Sequence, residues 1–199
     1  MKKALPILFC LTALPLTSSC IAAVGGAAAA TGVVLAQERT AGGTVDDYAI
    51  WTKIKSLYLQ SSKKGLLNDV NVEVSQGHVL LTGNVISPEV RVEAVKLAWE
   101  PHGVVDVANE LKISDTIDGR SYAADKVIFA NVRSRLLLEK GVRSVNYSIE
   151  VVDGVVYVMG IAQNQDELSR VIEICRKAKN VKKVTSFVRI KSAEPAAAR

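Results

Sequence analysis

Two histidines, three cysteines and an aromatic content of 5% leave this 199-residue chain with little chemical equipment. A metal centre or a general base would need convergent partners around His78 or His102, and the sequence offers none. Both therefore read as solvated surface histidines. There is no phosphate-cradling glycine-rich loop followed by lysine, no Gly-x-Ser-x-Gly elbow and no metal-ligand spacing. Gly42-Gly43 reads as tether rather than as a nucleotide loop. The expectation is a protein that is not an enzyme and takes no cofactor or metal. The aromatic residues do not line a strand as a stacking platform for single-stranded nucleic acid, so nucleic acid is not an expected partner. A long apolar run is also missing: Ala4 to Leu16 falls short of the roughly 20 residues a transmembrane helix needs.

What is present begins at the amino terminus. Met1-Lys2-Lys3 is basic, Ala4 to Leu16 apolar, and Thr17-Ser18-Ser19-Cys20 a small-residue site, the layout of a secretory signal over residues 1–19. The segment resembles a bacterial lipoprotein signal. That resemblance implies Cys20 as the first mature residue and lipid anchor, carrying a diacylglycerol thioether and an acyl (palmitate-type) group on its amine. Leu16 stands four residues before the cysteine, with Thr17 in the place the pattern gives to Leu. Ile21, rather than Asp, follows the cysteine, which resembles cargo released to the outer membrane. Two alternatives stay open: a plain signal peptidase site, and an uncleaved anchor prolonged by Gly25 to Ala36. With Cys10 removed and Cys20 acylated, Cys175 alone remains, so no internal disulfide is expected. Cys175 falls on an apolar stripe and reads as a small buried hydrophobe. Residues 20–44 are rich in Ala and Gly and read as a tether, unless Ala27 to Leu35 forms a short interfacial helix.

The rest repeats itself. Gly77-His78-Val79-Leu80-Leu81-Thr82-Gly83 recurs 77 residues later as Gly154-Val155-Val156-Tyr157-Val158-Met159-Gly160. Val104, Val107, Leu111 and Ile113 recur at the same shift as Val181, Val184, Val188 and Ile190. Two copies of one small domain follow, over residues 45–115 and 121–191, with 192–199 a tail. In the first, Asp46 or Asp47 can cap a helix whose apolar face is Ile50, Ile54 and Leu57 with Tyr58. Val70, Val72 and Val74 alternate with polar residues, and Gln76-Gly77 turns the chain into Val79 to Val85. Ser87-Pro88-Glu89 opens a second helix, and Val105, Val107 and Leu111 mark a last strand. The second copy repeats this order, with Asp125 before its first helix, a hairpin at Asp153-Gly154, a helix over Asn164 to Ala178 and a strand over Val181 to Ile190. Each domain is thus an α+β αββαβ sandwich with helices on one face of a three-stranded sheet. Modules of about 70 residues are marginal alone, so contact between the copies is expected.

This order, the paired glycine-flanked strands and the closing valine-rich strand resemble the BON domain of bacterial periplasmic and outer-membrane proteins. The match runs from about Val45 to Lys191. Two such domains behind a lipoprotein signal resemble the dual-BON outer-membrane lipoproteins of Gram-negative bacteria. The resemblance implies phospholipid binding, a part in envelope integrity, a position on the periplasmic face of the outer membrane and no catalysis. It carries over the glycines at 77, 83, 154 and 160, but no polar site.

Charge separates the copies. From Asp47 to Asp115 there are seven Lys and Arg against nine Asp and Glu, a balance near −2. From Arg120 to Lys191 there are fourteen against seven, near +7. A basic domain tethered near a membrane points to anionic phospholipid of the phosphatidylglycerol type, at about 1 kcal/mol per juxtamembrane cation. Two patches compete for that role. Lys126, Phe129, Arg133, Leu137 and Lys140 lie along the first helix of copy two, where a ring beside guanidinium groups suits the headgroup boundary. Trp51, Lys55 and Leu59 form a weaker counterpart in copy one. Arg176, Lys177, Lys179, Lys182 and Lys183 form a more basic patch without aromatics. The plain alternative for each is a solvated charged face with an edge hydrophobe. The helix is preferred as the phospholipid-binding site. The rival reading is a lipid-anchored adaptor that docks a protein partner of the envelope.

Overall fold

The computed structural model describes residues 41–114 and 119–191; the signal, most of the tether and the tail lie outside them. In the first copy, α1 (Ala41–Gln60) and the single-turn α2 (Leu66–Asp69) lead into β1 (Asn71–Ser75) and β2 (His78–Val85). α3 (Pro88–Ala98) then crosses to β3 (Asp106–Ile113). In the second copy, α4 (Gly119–Leu138) and a 3₁₀ turn (Ser144–Asn146) precede β4 (Tyr147–Val152) and β5 (Val155–Ala162), and α5 (Gln165–Arg176) leads to β6 (Lys183–Ile190). Each sheet has its second strand in the middle, antiparallel to the first and parallel to the third. This is the tandem αββαβ fold, with each crossover helix required by the parallel pair.

Local chemistry explains the elements. Ser87 and Asn164 cap α3 and α5, each accepting the backbone N–H three residues on, from Val90 and Glu167. Alternation in the strands splits each sheet into two faces. Val79 and Leu81 join Ile50, Ile54, Tyr58, Val90 and Ala94 in one core under α1 and α3. Val156 and Val158 join Ile128, Val132, Leu136, Val171 and Cys175 in the other. The residues between them in sequence, Leu80, Tyr157 and Met159, form a third cluster with Val152, Ala108, Val155 and Phe187. The two sheets therefore pack on each other, with helices outside. This supplies the burial a lone 70-residue module lacks. Cys175 is buried and free, and burial pushes its thiol up to about 12.

Asp47, a candidate helix cap, and Asp125, expected to precede its helix, both do something else. The helices begin earlier, so Asp47 and Asp125 lie inside them. The Asp47 carboxylate accepts the N–H groups of Gln76 and Gly77 at 2.8 and 2.9 Å. Asp125 accepts those of Asp153 and Gly154, both at 2.7 Å. The two turn residues carry positive φ in each hairpin, 52° and 75° in the first, 52° and 78° in the second. Such a turn presents its amides together, and a buried carboxylate secures them to the helix.

The contact between the copies is reciprocal. Lys112 in β3 reaches Asp153 in the hairpin turn of copy two, 3.4 Å away. Arg189 in β6 reaches Gln76 in the hairpin turn of copy one. Both equivalences are a shift of 77 (189 − 112 and 153 − 76), so the interface has pseudo-two-fold symmetry. Arg189 Nη1 also lies 2.7 Å from His78 Nε2. His78 is thus a part-buried seam residue, which corrects its reading as a solvated histidine; burial, followed by Arg189, depresses its basicity. His102 is exposed.

Half-buried Glu150 in β4 accepts from Asn71 at 3.3 Å across this seam. Burial raises its carboxyl above the ordinary value; Glu73 reinforces this and Lys126 opposes it. A raised folded value means that the folded protein holds a proton the unfolded chain releases. That stabilisation is complete below the unfolded value and is lost as pH rises through the folded one. Glu150→Gln should therefore raise Tm by a few degrees near pH 7 and leave it unchanged near pH 4, a comparison that thermal scans at the two pH values decide.

Candidate functional site

α4 buries Ile128, Val132 and Leu136, which leaves the residues one step on at its flank. Phe129 is 38% and Leu137 69% exposed, with Val127 and Leu138 also open to solvent. Lys126 is exposed, its ammonium 4.9 Å from the Tyr122 ring centroid. Lys140 is exposed just past the helix end at Leu138. Four of the five expected residues thus share an exposed apolar and cationic flank.

Arg133 is the fifth and differs. It is half-buried, and its Nη1 donates to the carbonyls of Ser144 at 2.9 Å and Tyr147 at 3.2 Å. In copy one, Lys55 Nζ donates to the carbonyls of Leu67 at 3.1 Å and Val70 at 2.9 Å. Leu67 and Val70 correspond to Ser144 and Tyr147 at the shift of 77. The same device occurs twice: a cation from the first helix satisfies the carbonyls that lead into the first strand. Arg133 therefore contributes charge to the flank while its guanidinium is held by the scaffold, a structural duty that the sequence reading did not foresee. Desolvation lowers the pKa of Lys55, which fits its half-buried position.

Tyr122 adds a ring that a helix starting near Asp125 would not include; α4 begins at Gly119, and the ring belongs to its first turn.

The second basic patch is spread over the turn after α5. Arg176, Lys177, Lys179, Lys182 and Lys183 are all exposed, and Lys177 pairs with Glu173 at 2.6 Å. Exposed pairs of this kind are worth about 0–1 kcal/mol, and no exposed ring stands among these residues.

Between the copies lies a cleft of about 270 Å³ lined by Asn71, Asn84, Tyr122, Lys126 and Glu150 among others, together with Asp69 and Asp125. Its surplus of carboxylates suits hydrogen-bond donors and opposes phosphate. Among the described residues no group of His, Cys, Asp and Glu could hold a metal ion, and no helix is long and apolar enough to cross a membrane.

The BON domain family matches residues 46–115 and 124–192. The chain is 44% identical over 148 residues to an uncharacterized protein in the gshII 5′ region of Anaplasma centrale, spanning 74% of this chain and 96% of that one. It is 30% identical over 152 residues to osmotically-inducible protein Y of Escherichia coli strain K12, covering 75% of each. It is 29% identical over 165 residues to outer membrane lipoprotein DolP of Haemophilus influenzae, covering 83% of this chain and 85% of the relative.

Proposed function

This chain belongs to the BON-domain family, and from that premise we propose that it is an envelope lipoprotein, anchored through Cys20 on the periplasmic face of the outer membrane. We further infer that it binds anionic phospholipid through its second BON domain and supports envelope integrity as a binding module rather than an enzyme. The observation that carries this reading is the α4 flank. Phe129 and Leu137 stand open to solvent between Lys126 and Lys140, on a helix whose other face is buried. Apolar side chains of this size offer the headgroup boundary what solvent does not, and flanking ammonium groups supply the attraction to phosphate. The signal-like segment before Cys20 and the likeness to an outer membrane lipoprotein support the location.

The test is vesicle flotation of the chain from residue 20 onward with Cys20→Ser, which removes the acyl chains. Binding should rise with phosphatidylglycerol content and fall with salt. At about 1 kcal/mol per cation, Lys126→Gln with Lys140→Gln should weaken it about 30-fold. Arg133→Lys is the control, because Lys55 performs the same carbonyl bonding in copy one and the fold should hold. Binding indifferent to anionic lipid, together with specific retention of a protein partner, would favour the adaptor instead. A mature mass that lacks the acyl groups on Cys20 would remove the anchor.

A further inference from the structure

The first helices match at a shift of 78: Trp51 with Phe129, Lys55 with Arg133 and Leu59 with Leu137. In both copies the two apolar positions are exposed. Trp51 is 37% and Leu59 69% open, and Tyr48, at 67%, stacks on Trp51 with ring centroids 5.9 Å apart. The acidic copy thus keeps the same unpacked apolar flank as the basic copy, with larger rings.

Each flank lies beside the first strand of its own copy. Lys55 stands within the first flank and reaches the carbonyls that lead into β1, so that flank lies on the β1 side of α1. Arg133 does the same for β4, so the second flank lies on the β4 side of α4. β1 and β4 in turn adjoin across the seam, where Asn71 bonds Glu150. The pseudo-two-fold relation therefore sets each flank beside one of the two strands that adjoin at the seam, and the cleft there is lined by Tyr122 and Lys126 of the second flank.

We infer that the Tyr48–Trp51–Leu59 flank of copy one is a second lipid-contact surface, seated on the same bilayer as the α4 flank, so that the membrane face of this protein is built from both copies. This rests on the lipid reading above and extends it to a domain that charge alone would exclude. The occupant is argued from three observations. α1 is the first described element after the segment that begins at Cys20, and Tyr48 is seven residues, about 10 Å, beyond its first residue. About 20 residues separate Cys20 from Ala41, and that length limits how far α1 can stand from the proposed anchor. Tyr and Trp are the side chains that settle at the membrane–water boundary, polar edge outward and ring inward. With copy one near −2, its contact draws on area rather than on anionic charge, unlike that of copy two.

The experiment uses the full acylated mature protein. Trp99→Phe leaves Trp51 as the sole tryptophan, since the chain has two. A parallel protein with Trp51→Phe, Trp99→Phe and Phe129→Trp reports on α4. Both are placed on phosphatidylcholine–phosphatidylglycerol vesicles with bromine at shallow acyl positions, after far-ultraviolet circular dichroism verifies folding. Interfacial helices sink about 5–10 Å, so each tryptophan should shift to the blue and lose about half its emission or more. Raising salt should leave the Trp51 signal unchanged. Quenching of the α4 probe without Trp51 would overturn the two-copy surface and leave the second-domain reading standing. Quenching of Trp51 without the α4 probe would overturn the shared surface and that reading together, as would quenching of neither.

Discussion

Gly160→Val is expected to unfold the second domain. The backbone there has φ 149°, and a Cβ would overlap the carbonyl oxygen of Asn146 and press on the Cα of Tyr147. Both neighbours are backbone, and Tyr147 is the register partner of Gly160 in the β4–β5 ladder, so relief would require the strands to part. Backbone strain of about 1–3 kcal/mol for a side chain in this region adds to the overlap, and a total above about 4 kcal/mol approaches the whole stability of a small domain. Gly83 repeats the arrangement: φ is 127°, and the overlap is with the carbonyl of Asp69. Gly83→Val should therefore act on copy one as Gly160→Val acts on copy two. Urea midpoints would decide it; a loss of less than about 1 kcal/mol in either variant would show that the close approach has room to relax.

Asp125→Ala is expected to cost about 3–5 kcal/mol. The substitution leaves the amides of Asp153 and Gly154 without their acceptor, and hydrogen bonds to a charged group are worth about 1.5–3 kcal/mol each. Asp125→Asn keeps the shape and one acceptor oxygen, so it should lose less. Amide hydrogen exchange adds a local readout: protection at Asp153 and Gly154 should fall in the alanine variant before global unfolding sets in. Unchanged exchange at these two amides would mean that the turn is held by its own geometry. Asp153 also links the turn to Ser121 at 2.9 Å and to Asn84 at 3.3 Å, so loosening it should weaken the seam as well.

The repeat, the αββαβ order and the two helix-facing cores were legible because strand alternation and helical spacing at Ile50, Ile54, Ile128 and Val132 leave few choices of face. The duties of Asp47, Asp125, Lys55 and Arg133 were not. Each binds backbone groups 11–30 residues away in sequence, and backbone amides and carbonyls leave no mark in a residue pattern. A signal existed nonetheless: an aspartate and a cation recur in both first helices, although the copies otherwise diverge in charge. The seam was legible only in part. Tyr157 and Met159 read as ordinary strand residues, and only the second sheet explains why both faces of β5 are buried. For the α4 flank the sequence supplied the stripe, and the backbone supplied the reason why one member of it is tied down.

The reciprocal seam has a consequence for assembly. A self-complementary contact between like halves is also the contact by which two identical halves from separate chains could mispair. Here one half is near −2 and the other near +7. Two basic halves meeting would repel, whereas unlike halves attract at ranges up to a Debye length, about 8 Å in physiological salt. On that balance, pairing of unlike halves should be favoured over pairing of like ones, by a margin that shrinks as ionic strength rises.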